Sequence, residues 1–267
     1  RDEAWQVFGI FTTVISLLLI VIILLGLPLS RYLVWLVAPG LEPQTAGLAA
    51  ELLVIMLPGV LFFSLANLFY GLLNANNIFS IPALGPIFTN IVLIISIAAG
   101  IRYGIYSVAL GTLIGYLVAM VIQIPFLYKV GFRFRFSLDI RNTGVKHTFN
   151  MMGPLMIGTG VSQIYLIIDR ILASGLMEGS ISSLNYASKL MLLPQGVIVM
   201  AVGTAIFPTL ANRVASGYID QYSSALTRAL GLVLLIAFPC GVGLAVLRDP
   251  VVRLLFARGA FDETAVV

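Results

Sequence analysis

The sequence predicts an all-α, polytopic transmembrane helix bundle. Three observations carry that prediction. The chain of 267 residues is 60% hydrophobic and only 10% charged, with a mean hydropathy of +1.07. Soluble domains carry about 25% charged residues, so this much apolar surface exceeds what one soluble core holds. The apolar residues also gather in runs long enough to cross a bilayer, at about 20 residues per helix. Finally, one connection between runs is strongly basic, the pattern that sets membrane sidedness.

Seven spans are expected, at 5–30, 49–74, 80–100, 103–128, 147–176, 181–209 and 222–247. Most connections are short, which makes consecutive helices antiparallel neighbours. In the second span, Ser64, Asn67, Gly71 and Asn74 share one helix face. A polar stripe on a membrane helix faces protein or a wet cavity rather than lipid. Helix–helix hydrogen bonding and a cavity wall both fit that stripe.

The turn into the third span is "GLLNANNIFSIPALGPIFTN", Gly71–Asn90. Asn74, Asn76 and Asn77 are suited to satisfy the last free carbonyls of the incoming helix. Ser80 is the expected N-cap. Pro82 falls in the first turn, where no N–H is missed, and Pro86 is expected to bend the helix. Asn67, Asn74 and Asn90 are the amides left to face a cavity, Asn74 with two competing explanations.

After the fourth span comes "YKVGFRFRFSLDIRNTGVKH", Tyr128–His147. It sets Lys129, Arg133, Arg135, Arg141 and Lys146 against Asp139. The positive-inside rule places this connector in the cytoplasm. The alternation in "FRFRFSL" suits a short strand or an interfacial segment. The connector divides the chain into an N-lobe of four spans (1–128), the connector itself (129–147) and a C-lobe of three spans plus an interfacial segment (148–267). By the same sidedness, the Gly71–Asn90 turn is cytoplasmic. The turns near Arg102 and Glu178 lie on the outer side, with the basic, amphipathic Arg248–Glu263 segment flat on that interface.

A weak internal repeat sets "LPLSRYL" (Leu27–Leu33) over "DPVVRLL" (Asp249–Leu255), and Pro43–Ala46 over Asp262–Ala265. A repeat of even span number is parallel, related by an axis along the membrane normal, which is a transporter plan.

Ionisable groups inside spans are costly and mark function by default. Here they are Asp169, Arg170 and Lys189, with Arg228 near the start of the last span. Asp169 and Arg170 point about 100° apart on a helix, so they do not simply neutralise each other. Asp169 with Lys189 reads either as an interhelical lock or as a charged cavity wall. Together the three groups favour an anionic ligand. Prolines with nearby glycines interrupt several spans, at Pro58, Pro154, Pro194 and Pro239.

The sequence excludes several classes. Cys240 is the sole cysteine and His147 the sole histidine, so no disulfide framework and no metal site is expected. No catalytic motif appears, and "GTGVSQ" (Gly158–Gln163) inside a span is explained by close helix packing. No cofactor is expected. A net charge of +4 suits a membrane protein and gives no reason to invoke nucleic acid.

The segment "YGLLNANNIFSIPALGPIFTNIVLI" resembles the G-x-x-N-A … P-A-x-x-P … Asn pattern of the lipid II flippase family (MurJ/MviN). Gly153–Ala211, with its S-Q, A-S, G-S-I-S, Y-A, L-M, P-x-G and P-x-L elements, is similar to that family's seventh and eighth helices. "LFARGAFD" resembles the segment after the ninth. The resemblance covers nearly the whole chain, as helices three to nine. It implies two pseudo-repeated lobes around a central cavity, within the multidrug/oligosaccharidyl-lipid/polysaccharide exporter superfamily. The implied activity is non-enzymatic. A polyprenyl-pyrophosphate-linked peptidoglycan precursor, lipid II, would be flipped across the bacterial inner membrane by alternating access. Membrane lipids and cell-wall synthesis proteins are the implied partners.

Lys189 stands where the family carries a basic cavity residue, usually Arg, and would bind pyrophosphate. Lys keeps the charge but not the planar fork. The acid often found three positions later is Leu192 here. Asp169, Arg170 and Gln163 would line or organise the cavity, with Asn67 and Asn74 as further substrate-facing candidates. The alternatives are a flippase for another polyprenyl-linked oligosaccharide, a multidrug exporter (disfavoured by the scarcity of in-span carboxylates), and a membrane scaffold or enzyme. The sequence opens on Arg1 and closes on "FDETAVV", so it is expected to be part of a longer protein, and 1–267 alone is expected not to flip lipid.

Overall fold

The computed structural model describes residues 2–134, 136–139, 143–177 and 179–256. Arg135, Arg141, Glu178, the Asp262–Ala265 half of the repeat and the end of the interfacial segment lie outside the described residues. Among those described, eleven helices follow in order: α1 (Asp2–Gly26), α2 (Ser30–Val37), α3 (Pro43–Met56), α4 (Gly59–Ala75), α5 (Ser80–Tyr103), α6 (Ile105–Val121), α7 (Ile124–Lys129), α8 (Thr143–Ser174), α9 (Ser180–Ala215), α10 (Ile219–Val246) and α11 (Arg248–Phe256). They fall into two compact units, Arg1–Gly175 and Leu176–Val267.

Among the described residues six helical segments are long and apolar enough to cross a membrane, and a seventh span results if α3 and α4 are taken together. That pair is bent by 45°, so the span over 49–74 is interrupted at Pro58, as the sequence led one to expect. The cause is Pro58, which has no N–H to continue the helical ladder. The chain turns there through Val60 N–H to Leu57 O (3.1 Å) and Leu61 N–H to Pro58 O (3.2 Å). Gly59, just past the break, lies under the Tyr116 ring of α6, and a Cβ there would stand 3.1 Å from Tyr116 Cδ2.

In the first unit, α6 packs against α3, α4 and α5, while α1 and α2 pack against α8. The seams are made of small residues. Ala109, Gly111, Gly115 and Ala119 are buried along α6. Large side chains such as Leu24, Leu25, Ile94 and Ile95 face outward. Membrane helices associate through close backbone approach rather than through a hydrophobic drive, which explains this distribution. Several hydroxyls stay within their own helices: Thr12, Thr13 and Ser16 of α1 and Ser96 of α5 each donate to the carbonyl four residues back.

Two helix ends follow one device. Asn77 takes a left-handed backbone (φ 61°), Asn77 N–H donates to Asn74 O and Ile78 N–H to Leu73 O. Asn76 Nδ2 adds a bond to Leu72 O at 2.9 Å. The asparagines of the Gly71–Asn90 turn therefore do cap α4. Gly131 (φ 93°) closes α7 in the same way, with Gly131 N–H on Tyr128 O and Phe132 N–H on Leu127 O. Both are the 6→1 and 5→2 pattern of a Schellman cap. Ser80, by contrast, is not a cap: Phe79 holds that position with an α-region backbone, and no side chain bonds the helix start. Pro82 does fall in the first turn, and Pro86 lies inside α5.

The connector begins as a packed segment. Phe132 is buried against Leu127, Phe69 and Leu73, with its ring 5.0 Å from Phe8 and 5.7 Å from Trp5. None of the described residues in 132–139 forms a strand. In the second unit, α9 packs against α10, which is followed by α11.

Candidate functional site

Polar residues of α4, α5 and the α6–α7 junction meet at one place. Asn67, Tyr70, Thr89, Asn90 and Gln123 line a cavity of about 300 Å³, with Phe63, Pro82, Pro86 and Tyr116 among its apolar walls. Asn67 spends its Nδ2 on Phe63 O at 2.8 Å, one turn back, and leaves its carbonyl oxygen toward other partners. Thr89 Oγ1 lies 3.1 Å from Gly85 O and 3.3 Å from Gly115 O, where it can bond within α5 or across to α6. Asn67 of α4 and Asn90 of α5 thus both line this cavity of the first unit. Asn74 is elsewhere: its carbonyl serves the α4 cap, and it does not line this cavity.

Gln123 was not among the expected site residues. It is 2% exposed, and its Nε2 donates to Ala66 O (3.2 Å) and Ala119 O (2.9 Å). Both partners are acceptors, so the amide has one workable orientation. Its Oε1 is then buried without a partner. The sequence did hold a signal: a lone amide two residues before Pro125, where the helix must break and carbonyls fall free.

The charged candidates lie on α8 and α9. Asp169 is half-buried, while Gln163 and Arg170 are exposed. Tyr165, one turn earlier on the same helix, stands near the Asp169 carboxylate. Among the described residues the salt bridge is Arg248 Nε to Asp249 Oδ1 at 3.2 Å, so Asp169 and Arg170 do not pair with each other. Gln163, Asp169 and Arg170 belong to the first unit. Lys189 belongs to the second and is exposed, with its Nζ 5.8 Å from the Tyr186 ring centroid. That is the outer limit of a cation–π contact and leaves the ammonium's donors available. Groups of His, Cys, Asp and Glu able to hold a metal are absent among the described residues.

These features define an all-helical, multi-pass membrane protein with in-span charges. The chain matches the lipid II flippase MurJ family over residues 1–267 and belongs to it. It is 34% identical to the probable lipid II flippase MurJ of Buchnera aphidicola subsp. Acyrthosiphon pisum, over 93% of this chain and 50% of that protein. It is 31% identical to the lipid II flippase MurJ of Burkholderia cenocepacia, over 100% of this chain and 53% of that one. A solved structure, lipid II flippase MurJ in an inward closed conformation, superposes with a TM-score of 0.86 at 29% identity, covering 100% of this chain and 55% of its own. The chain therefore spans about half the length of the relatives it matches. The family is one of flippases, not enzymes.

Proposed function

We propose that the chain forms part of a flippase that carries lipid II from the cytoplasmic to the periplasmic leaflet of the bacterial inner membrane. The observation that carries this reading is the family match along the entire chain. The in-span charges fit it. Lys189 offers three unengaged donors to a pyrophosphate, and Asp169 with Arg170 and Gln163 organises the wall of the path. Asn67 belongs to a neutral amide cluster that suits the sugar or peptide hydroxyl and amide groups. The lobes 1–128 and 148–267, joined by the basic connector, are the parts that alternate access.

Purified protein is to be tested for binding to lipid II against undecaprenyl phosphate and neutral lipids. Preference for lipid II is the expected result; equal binding of lipid II and undecaprenyl phosphate would sink the sugar-peptide specificity. A second reading, flipping of another polyprenyl-linked oligosaccharide, draws on Lys189 in place of a forked arginine, because an ammonium imposes less geometry on its phosphate.

A further inference from the structure

The second unit holds a cavity that the flippase reading does not use. It lies between the end of α9 and the start of α10 and encloses about 700 Å³. Its polar lining is Arg213, Gln221, Ser224, Thr209 and Arg228, and its apolar lining includes Ala201, Ala205 and Leu232. The two sets are ordered along the helices. Arg213 and Gln221 sit at the mouth, tied together by Arg213 Nη1 donating to Gln221 O. Ala201 and Leu232 lie about 16–18 Å further along their helices, at 1.5 Å per residue. Arg228 stands between the two ends.

The charge is uncompensated. Arg228 has no hydrogen bond or ion pair among the described residues, and Arg213 has only the Gln221 carbonyl. Asp220 is near in sequence but does not line the cavity and pairs with neither arginine. Two guanidiniums lining one cavity without a carboxylate call for an anion, and their planar forks match phosphate oxygens. By the sidedness of the basic connector, α8 leaves the cytoplasmic face and α9 returns to it, so the mouth opens at the cytoplasmic leaflet. An apolar slot continuing from a basic mouth is the shape of a lipid with a charged head.

We propose that this slot binds an anionic phospholipid of the cytoplasmic leaflet, its phosphate held by Arg213 and Arg228 and an acyl chain laid along Ala205 toward Leu232. The site is separate from Lys189, which lies about 36 Å away along α9 at the helical rise. The volume holds a glycerol-phosphate head and part of one chain, not a sugar-peptide.

The whole chain, purified in neutral detergent, is titrated with phosphatidylglycerol or phosphatidylcholine, and bound lipid is counted by native mass spectrometry. Phosphatidylglycerol should be preferred, and Arg213→Gln and Arg228→Gln should each lower that preference by about fivefold, the scale of one basic residue at an anionic surface. Arg102→Gln, in the last turn of α5 and outside both sites, should leave it unchanged. Ala205→Leu keeps both charges and fills the slot, so it should weaken both lipids. It also decides the matter if the variant that combines Arg213→Gln with Arg228→Gln does not fold. Equal binding of the two lipids by the unmodified chain would overturn the proposal, and so would an unaltered preference in a folded double variant. Displacement by inorganic phosphate would overturn the lipid assignment in favour of a free anion. A carboxylate-bearing protein segment occupying the slot in place of lipid would show as indifference to phosphatidylglycerol, which would likewise overturn the proposal.

Discussion

The Gly40 backbone N–H donates to Ser174 Oγ at 3.1 Å, joining the α2–α3 turn to the last turn of α8 across 134 positions of sequence. Ser174 is buried, and its hydroxyl in turn donates to Ile171 O at 2.7 Å. The contact has no spare room: a Cβ on Gly40 would overlap the Ser174 carbonyl oxygen and stand 2.7 Å from Gly175 Cα. Backbone on the far side leaves nothing flexible to move. Gly40→Ala should therefore destabilise the first unit by about 1–3 kcal/mol, the usual scale of overpacking. Ser174→Ala removes only the hydrogen bonds and should cost about 1 kcal/mol. Thermal unfolding in detergent reads both, and an unchanged midpoint for Gly40→Ala would refute the close approach.

The α5–α6 seam gives a second, reciprocal test. A Cβ on Gly111 would overlap both Cβ and Oγ of Ser96. The next glycine, Gly115, meets Thr89 at 3.1 Å, and Ser107 Oγ crosses to Ser96 O at 3.0 Å. Gly111→Ala should lower stability by about 1–3 kcal/mol. Adding Ser96→Gly empties the clash and should recover most of that loss. Additive losses in the double variant would mean that the two positions do not touch, since contacting residues are the ones that couple.

Gln123 joins α4 to the end of α6 through two donated bonds. Gln123→Met keeps the volume and removes the donors, so the Ala66 and Ala119 carbonyls lose a partner. The expected cost is about 1–2 kcal/mol, the scale of one or two net hydrogen bonds. Gln123→Glu should be worse, because a carboxylate would face two carbonyl oxygens in a buried place. If the Glu variant proved as stable as the parent, the amide could not be oriented with its Nε2 toward those carbonyls.

Much of this arrangement was legible in the sequence, and the illegible parts have physical causes. Apolar run length located the long helices because bilayer thickness sets it. Pro58 marked the interruption of the second span, but hydropathy is a sum along the chain and gave no angle for it. The proline was visible, but many membrane helices tolerate one. Asn76 and Asn77 were readable as caps because their side chains favour those geometries. Ser80 misled because Phe79 had already entered the helical region, leaving Ser80 inside the first turn. Gln123 escaped notice because its partners are backbone carbonyls on α4 and α6, which no sequence pattern marks. Phe132 escaped for a related reason: it sits in a basic stretch, and only the Gly131 turn aims it into the aromatic cluster.

Lys189 is where the proposed function is most exposed to test. It is the basic group of α9 near its outer end, and its ammonium is held by no carboxylate among the described residues. If it grips a pyrophosphate, charge should matter more than shape. Lys189→Arg should then keep lipid II binding, while Lys189→Ala should weaken it about tenfold or more, the scale of one charge-assisted hydrogen bond of about 1.5–3 kcal/mol. Lys189→Gln should resemble alanine rather than arginine, because it keeps a donor but loses the charge. In cells, a full-length relative whose matching half is replaced by this sequence should rescue a flippase-depleted bacterium. The alanine variant of that chimera, at equal protein level, should not. Full rescue by Lys189→Ala would remove Lys189 from the substrate path while leaving the family assignment untouched. Loss of function in the arginine variant would point instead to a steric role against Tyr186.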